Sequence, residues 1–334
     1  MLDERKSAIL RAVVEEYIET AQPVGSAHVV RASGIDVSSA TVRNDMVVLE
    51  REGYLTHPHT SAGRIPTDKG YRFFVDQLTP TGTLDPNERH RIRDFFNRAH
   101  GELEQMLHDT SQLLCNLTDY AAVVIGPSHE AATVRSVQLV NLGPRVGLLV
   151  VVLSNGVVEK RSIDLADGTG DERIAVAATH LAKSLVGATL SSLAEPSSTT
   201  GDPVADAIVS DCVHALARSH DEEPDHVFVG GASRMAAAFD AVDTVRNVLD
   251  TLEKQYVVVS LLRDVLDRGL SVAIGVEHGL VPLAECSVVV APYELEGEVA
   301  GTIGVLGPTR MNYPHAMAAV GVVSQRLGRH LTEG

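Results

Sequence analysis

The chain has 334 residues, 44% of them apolar and 22% charged, with a formal net charge of −16. That share of apolar side chain excludes a disordered or collagen-like chain, and the length is that of two or three domains. The acidic balance excludes wholesale coating of nucleic acid, so any contact with DNA must use a local basic patch.

Residues 1–78 hold 9 Lys+Arg and 11 Asp+Glu, a net of −2, and the other 256 residues carry −14. The longest unbroken apolar run, Val146 to Leu153, is too short to span a bilayer. The opening Met1-Leu2-Asp3-Glu4-Arg5-Lys6 has charge where a secretory signal needs an apolar core. A cytoplasmic protein with no membrane partner is therefore expected. Cys115, Cys212 and Cys286 are far apart and odd in number, which fits reduced, buried thiols and neither a disulfide framework nor a zinc knuckle.

The first predicted helix runs from Glu4 to Thr20, with Leu10, Val13, Val14, Tyr17 and Ile18 at helical spacing, and stops before Pro23. Ser26 caps a short second helix ended by Gly34. Ser38 or Ser39 caps a third, with the inner stripe Val42, Met46 and Leu49 and with Gly53 just past its end. Three such helices describe a helix-turn-helix unit, in which the first turns of the last helix meet base edges in the major groove. Those turns supply the candidate DNA-binding residues Ser38, Ser39, Thr41, Arg43 and Asn44. Arg43 can fork onto guanine, Asn44 can pair with adenine, and the hydroxyls can hold phosphate or base. A solvated polar helix face has the same composition.

Tyr54–His57 and Arg64–Pro66 read as two strands around a turn from Pro58 to Gly63, a hairpin wing directly after the third helix. It adds His57, His59, Arg64, Lys69 and Arg72 as candidate DNA contacts, fixing register on the backbone more than sequence. From Arg51 to Phe74 four Lys+Arg face two acids. His57 and His59 also fit a surface turn, and two histidines without a third ligand make a poor metal site.

The run Ser39-Ala40-Thr41-Val42-Arg43-Asn44-Asp45-Met46, with Leu49-Glu50-Arg51-Glu52-Gly53-Tyr54-Leu55, resembles the recognition helix of the heat-inducible transcription repressor (HrcA) family. His59 to Arg72 resembles the wing and exit of the same family.

Beyond a linker at 79–83, Asp85-Pro86-Asn87-Glu88 opens a helix with an N-cap, a proline at its first position and a capping-box acid. An apolar stripe from Ile92 to Leu117 predicts a connector helix over 86–118, packed along its own second domain or paired with a partner chain. Strands follow at 122–125, 134–142, 146–153 and 157–163, with Asn155-Gly156 as a hairpin turn between the last two. The stretch 171–252 is mainly helical, with a strand-like run at Val227–Gly230 and a Ser/Thr/Pro-rich loop at 194–203. Strands return at 270–276, 287–291 and 299–306 before a closing helix with Met317, Val320, Val323 and Leu327.

Strands on both sides of a helical block predict one antiparallel sheet domain interrupted by an insertion. The Gly-rich run from Gly301 to Tyr313 lacks the ending of a P-loop and reads as a strand-turn-helix corner. It also resembles the C-terminal signature of the same family, so the likeness spans almost the whole chain. The resemblance implies an α+β multidomain fold: a winged helix-turn-helix over 1–80, a GAF-like α+β domain in two parts (85–170 and 253–334), and an inserted, mainly helical α/β dimerisation domain over 171–252. It further implies a homodimer that represses chaperone operons at an inverted-repeat operator, needs the chaperonin to stay active, and is inactivated by heat.

No Gly-x-Ser-x-Gly elbow, His-Glu-x-x-His or helix-opening Gly-x-Gly-x-x-Gly after the first strand occurs, and His180, His214, His220 and His226 are scattered. No enzyme chemistry and no cofactor are expected. Two other readings remain: a winged-helix regulator controlled by a small ligand in its GAF-like domain, and a metabolic α+β enzyme with a winged-helix appendage.

Overall fold

The computed structural model describes residues 2–33, 37–58, 63–78, 84–98, 102–127, 132–154, 157–189, 199–222, 227–231, 234, 239, 242–267, 271–295 and 297–333. His59, Asn155-Gly156 and the first half of the loop at 194–203 lie outside them.

An N-terminal head is built from α1 (Glu4–Thr20), α2 (Ser26–Ser33), α3 (Ser39–Arg51), β1 (Leu55–Thr56), β2 (Ile65–Pro66) and α4 (Asp68–Asp76). Asp3 caps α1, its carboxylate accepting from the Lys6 N–H at 2.8 Å, and Ala21 closes the helix in a left-handed conformation. Ile9, Leu10, Val13 and Val14 form the buried stripe of α1. The strands β1 and β2 pair antiparallel, Leu55 opposite Pro66 and Thr56 opposite Ile65. Val24 and Arg64 extend this ribbon by exchanging both backbone hydrogen bonds at 2.9 Å.

The expected connector is two helices, α5 (Pro86–Arg98) and α6 (Leu103–Thr118). Glu102 stands at the N-cap of α6 with extended backbone, and the preceding Gly101 is a residue that disfavours a helix interior. Both helices bury their apolar stripes against their own chain, Ile92, Phe96, Leu107 and Leu114 sharing a core with the closing helix α11 (Tyr313–Glu333).

Two separate sheets follow, which corrects the expectation of one. The first has five antiparallel strands in the order β7-β3-β10-β9-β8. These are β3 (Ala121–Ile125), β7 (Val227–Gly230), β8 (Val272–Ile274), β9 (Cys286–Leu295) and β10 (Glu298–Pro308). Its two faces are read from the alternation of β3. Ala122 and Val124 join the core beneath α6 and α11, whereas Ala121, Val123 and Ile125 join the core beneath α9 (Val242–Leu252) and α10 (Gln255–Asp267). Covered on both faces, β3 is buried along its whole length.

The second sheet has three strands, β4 (Val134–Gly143), β5 (Val146–Leu153) and β6 (Val158–Asp164), in the order β4-β5-β6. Leu149, Val151 and Leu153 pack under α7 (Asp171–Leu185) and α8 (Pro203–Glu222) in a core of their own. The unit with its own core thus runs from Ala132 to Leu216, not over 171–252, and β7 and α9 belong with the five-stranded sheet. Strand alternation looks the same in either sheet, so the sequence pattern did not separate them.

One continuous apolar core joins the head to the body. Val13, Leu49, Tyr71 and Phe74 pack in the same cluster as Leu114, Val305, Tyr313 and Val320, and the Tyr71 and Tyr313 rings lie 5.9 Å apart. Cys115, Cys212 and Cys286 are buried free thiols, and burial pushes the last two up to about 12. No described helix is long and apolar enough to cross a membrane.

Candidate nucleic-acid interface

The helix α3 begins where Ser38 caps it, Oγ accepting from the Thr41 N–H at 3.1 Å and lying 3.0 Å from Thr41 Oγ1. Ser39 Oγ lies 3.0 Å from Ser26 Oγ, which ties the first turn of α3 to the first residue of α2. Val42, Met46 and Leu49 are buried on the inner stripe. Arg43 and Asn44 point to the other side, exposed and without a side-chain partner among the described residues. Asp45, next in sequence, is buried and faces α1, where Arg5 Nε donates to Oδ2 at 2.8 Å and Nη2 to Oδ1 at 3.2 Å. The acid on this turn is thereby neutralised inside, and the outer face of the turn presents a guanidinium and an amide.

The ribbon beside α3 carries the remaining basic residues. His57 Nδ1 lies 2.5 Å from Glu50 Oε1, and Arg64 Nε lies 2.8 Å from Glu50 Oε2. Lys69 is exposed at the start of α4, donating to the Glu52 carbonyl at 2.8 Å with its ammonium 4.3 Å from the Tyr54 ring centroid. Ser38, Ser39 and Thr41 therefore stand at the first turn of α3, Arg43 and Asn44 follow on its exposed face, and His57, Arg64 and Lys69 lie beside its last turn.

Arg72 departs from the expected phosphate contact. Its Nε donates to Glu277 Oε1 at 2.9 Å, its Nη2 to the Val272 carbonyl at 2.8 Å and to Glu277 Oε2, and Nη1 reaches Asp76 at 3.4 Å. Glu277 beside it raises the guanidinium above its ordinary pKa. The side chain is a bolt between head and body, and its partner stands 205 residues away in sequence.

Glu50 is the functional candidate that sequence reasoning missed. The signal was there: an acid in the last turn of α3, seven residues before the first wing histidine, in a stretch otherwise read for its cations. Among the described residues no group of three His, Cys, Asp or Glu could hold a metal ion.

Between head and body lies a cleft of about 840 Å³, lined by Glu15, Phe74, Tyr120, Arg234, Arg310 and Asn312 among others. The corner from β10 to α11 forms one wall, where the Asn312 N–H donates to the Tyr120 hydroxyl at 2.8 Å.

Residues 104–317 match the family model described as the HrcA protein C terminal domain. The chain is 40% identical to the heat-inducible transcription repressor HrcA of Nocardioides sp., covering 100% of both chains. It is 39% identical to the protein of that name from Pseudarthrobacter chlorophenolicus and 41% identical to that from Arthrobacter sp., each over 99% of both chains. Among solved structures, the crystal structure of a hypothetical protein superposes with a TM-score of 0.69 at 25% identity, covering 100% of this chain and 99% of that one. The family model takes in the body and the relatives take in the head as well, so head and body together carry one kinship: the chain belongs to the heat-inducible transcription repressor HrcA family.

Proposed function

We propose that this chain represses transcription as a cytoplasmic homodimer, each copy laying α3 in the major groove of one half of an inverted-repeat operator ahead of chaperone genes. In this reading residues 1–80 are a winged helix-turn-helix and the five-stranded sheet with its helices is GAF-like. The observation that carries it is the two-sidedness of the first turns of α3. Val42 and Met46 are sealed in the core while Arg43 and Asn44 stand exposed, the two side-chain types that pair bidentately with guanine and adenine. Arg64 and Lys69 supply cations beside that helix for the phosphate backbone, and the His57 ring stands next to them.

A homodimer is supported by the outer face of the three-stranded sheet. Val140, Val146 and Val158 are 42%, 40% and 47% exposed there, alongside half-buried Leu148, Val150 and Val152. Twofold pairing requires an operator of twofold symmetry, its half-sites one helical turn apart or a multiple. Control by heat, and the need for chaperonin to stay active, are supported by membership of the family.

The test is titration of the chain on an inverted-repeat duplex. Arg43→Ala and Asn44→Ala are each expected to weaken binding by about 1–3 kcal/mol and to relax discrimination at the base they read. Unchanged binding by both variants overturns the assignment of α3.

The cleft between head and body favours a second reading, in which a small ligand seated there shifts DNA affinity. A tenfold change in affinity on adding a metabolite, about 1.4 kcal/mol of coupling, would establish it.

A further inference from the structure

We infer that Glu50 is a positioning residue for DNA binding: an acid inside the interface that aims Arg64 at the phosphate backbone. The inference rests on the reading of α3 and its ribbon as the DNA-binding face.

An acid beside a phosphate-binding surface is at first sight a defect, because its charge repels DNA. The geometry around Glu50 gives it another use. Its Oε1 lies 2.5 Å from His57 Nδ1, just past β1, and its Oε2 lies 2.8 Å from Arg64 Nε, just before β2, an ion pair in which the Nε–H is not aligned for a hydrogen bond. One carboxylate thus bridges both arms of the hairpin to the last turn of the helix that reads bases.

Arg64 is fixed at its other end as well. Its backbone N–H and C=O both bond to Val24 at 2.9 Å. With the backbone held and Nε in ion-pair contact with the carboxylate, the two terminal amino groups of the guanidinium have no side-chain partner among the described residues. A guanidinium in contact with the carboxylate only at Nε keeps the edge formed by its two terminal amino groups, the shape that grips a phosphate in bidentate fashion. On the other arm, Nδ1 of His57 lies against the second carboxylate oxygen and fixes Glu50 in place. The carboxylate therefore selects the orientation of the Arg64 guanidinium before DNA arrives, and removes ordering that binding would otherwise have to supply. Its own charge is met by the guanidinium that it orients.

The arrangement separates Arg from Lys at position 64. Lysine has a single ammonium, which can sit on Glu50 or on a phosphate but has no second edge with which to serve both.

The experiment uses the full chain on an inverted-repeat duplex, with affinity followed over a range of salt concentrations. Glu50→Gln is expected to weaken binding about fivefold, through lost preorganisation that outweighs the relief of charge repulsion. Arg64→Ala is expected to weaken it about tenfold. The double variant Glu50→Gln/Arg64→Ala should bind no more weakly than Arg64→Ala alone, because Glu50 acts through Arg64. Arg64→Lys should lose nearly as much as Arg64→Ala although the charge is kept. Thermal melting separates these effects from loss of fold, and Arg64→Lys tests the same idea without altering α3. The inference is overturned if Glu50→Gln binds as tightly as the parent or more tightly, if the two single effects multiply, or if Arg64→Lys binds like the parent. Failure of the parent chain to bind the duplex at all would instead overturn the reading of the head as a DNA-binding unit, so the two failures are distinguishable.

Discussion

Arg72 on α4 and Glu277 on the turn after β8 form a two-pronged ion pair, with Nε donating to Oε1 at 2.9 Å. The backbone N–H of Ile274 donates to the same carboxylate at 2.9 Å, so the turn is already shaped to receive the guanidinium. Around the pair, Tyr71 packs on Tyr313 and Asp68 accepts from the Val276 N–H at 3.4 Å. The orientation of the head is thereby coupled to the five-stranded sheet through packed side chains.

Arg72→Ala tests that coupling. The pair is about a quarter exposed on both sides, so its loss is expected to cost about 1–2 kcal/mol, less than a fully buried charged hydrogen bond. The variant should show a lower urea midpoint and faster amide exchange in α4. The salt dependence of DNA binding should keep its slope, because Arg72 is turned to the body. A slope reduced by about one would instead make it a phosphate contact.

Beside this bolt sits His278, 4% exposed, its Nε2–H donating to the Leu283 carbonyl at 2.9 Å while Nδ1 accepts from the Leu280 N–H at 3.2 Å. Both ring nitrogens are satisfied by the neutral form, and a second proton on Nδ1 would meet a donor. Burial, the largest influence, pushes the imidazole below its ordinary value of 6.5. The unfolded chain then takes up the proton first as pH falls. The contribution of His278 is complete above about pH 6.5 and declines below it, with a slope limited to about 1.4 kcal/mol per pH unit for one proton. Stability measured from pH 7 to 5 should fall less steeply in His278→Gln than in the parent. Parallel curves would show that this ring does not supply the linkage.

Gly63 sits where the wing strand crosses the chain at Pro23. A Cβ there would stand 2.6 Å from the backbone carbon and oxygen of Val24, atoms that have no freedom to move aside. Gly63→Ala is therefore expected to break the Val24–Arg64 pairing, at a cost of about 1–3 kcal/mol, and to weaken DNA binding along with it. Gly53 makes the contrast: its φ of +78° needs a left-handed residue, yet nothing lies within 4 Å of a new Cβ. Gly53→Asn should melt close to the parent, and a melting loss equal to that of Gly63→Ala would refute the steric account.

The head was legible because its instructions are local. Ser38 precedes the stripe Val42, Met46 and Leu49 by helical spacing, and the two ribbon strands follow close behind, so cap, stripe and strands were readable within about thirty residues of one another. The partner of Arg72 was illegible because 205 residues and a different fold unit separate it from Glu277. The sheet membership of β4, β5 and β6 was illegible for another reason. Val146–Leu153 is apolar on both faces, as β3 is, yet helices cover only the face with Leu149, Val151 and Leu153. A strand covered on both sides and a strand with one apolar face left over carry the same residues.

That leftover face gives the last expectation. Val140 stands opposite Leu148, and Val152 opposite Val158, so the outer surface of the sheet carries two cross-strand apolar pairs with Val150 between them. Lysine at Val140 and Val158 together places two charges on this surface without touching the core beneath α7 and α8. If two copies pair here, Val140→Lys/Val158→Lys should elute as a monomer by light scattering while melting close to the parent, since the inner packing is intact. Its affinity for an inverted repeat should fall to that for a single half-site, because each α3 would then bind alone. A variant that remains a dimer would place the pairing surface elsewhere. A monomer that keeps full affinity for the repeat would separate dimerisation from operator recognition.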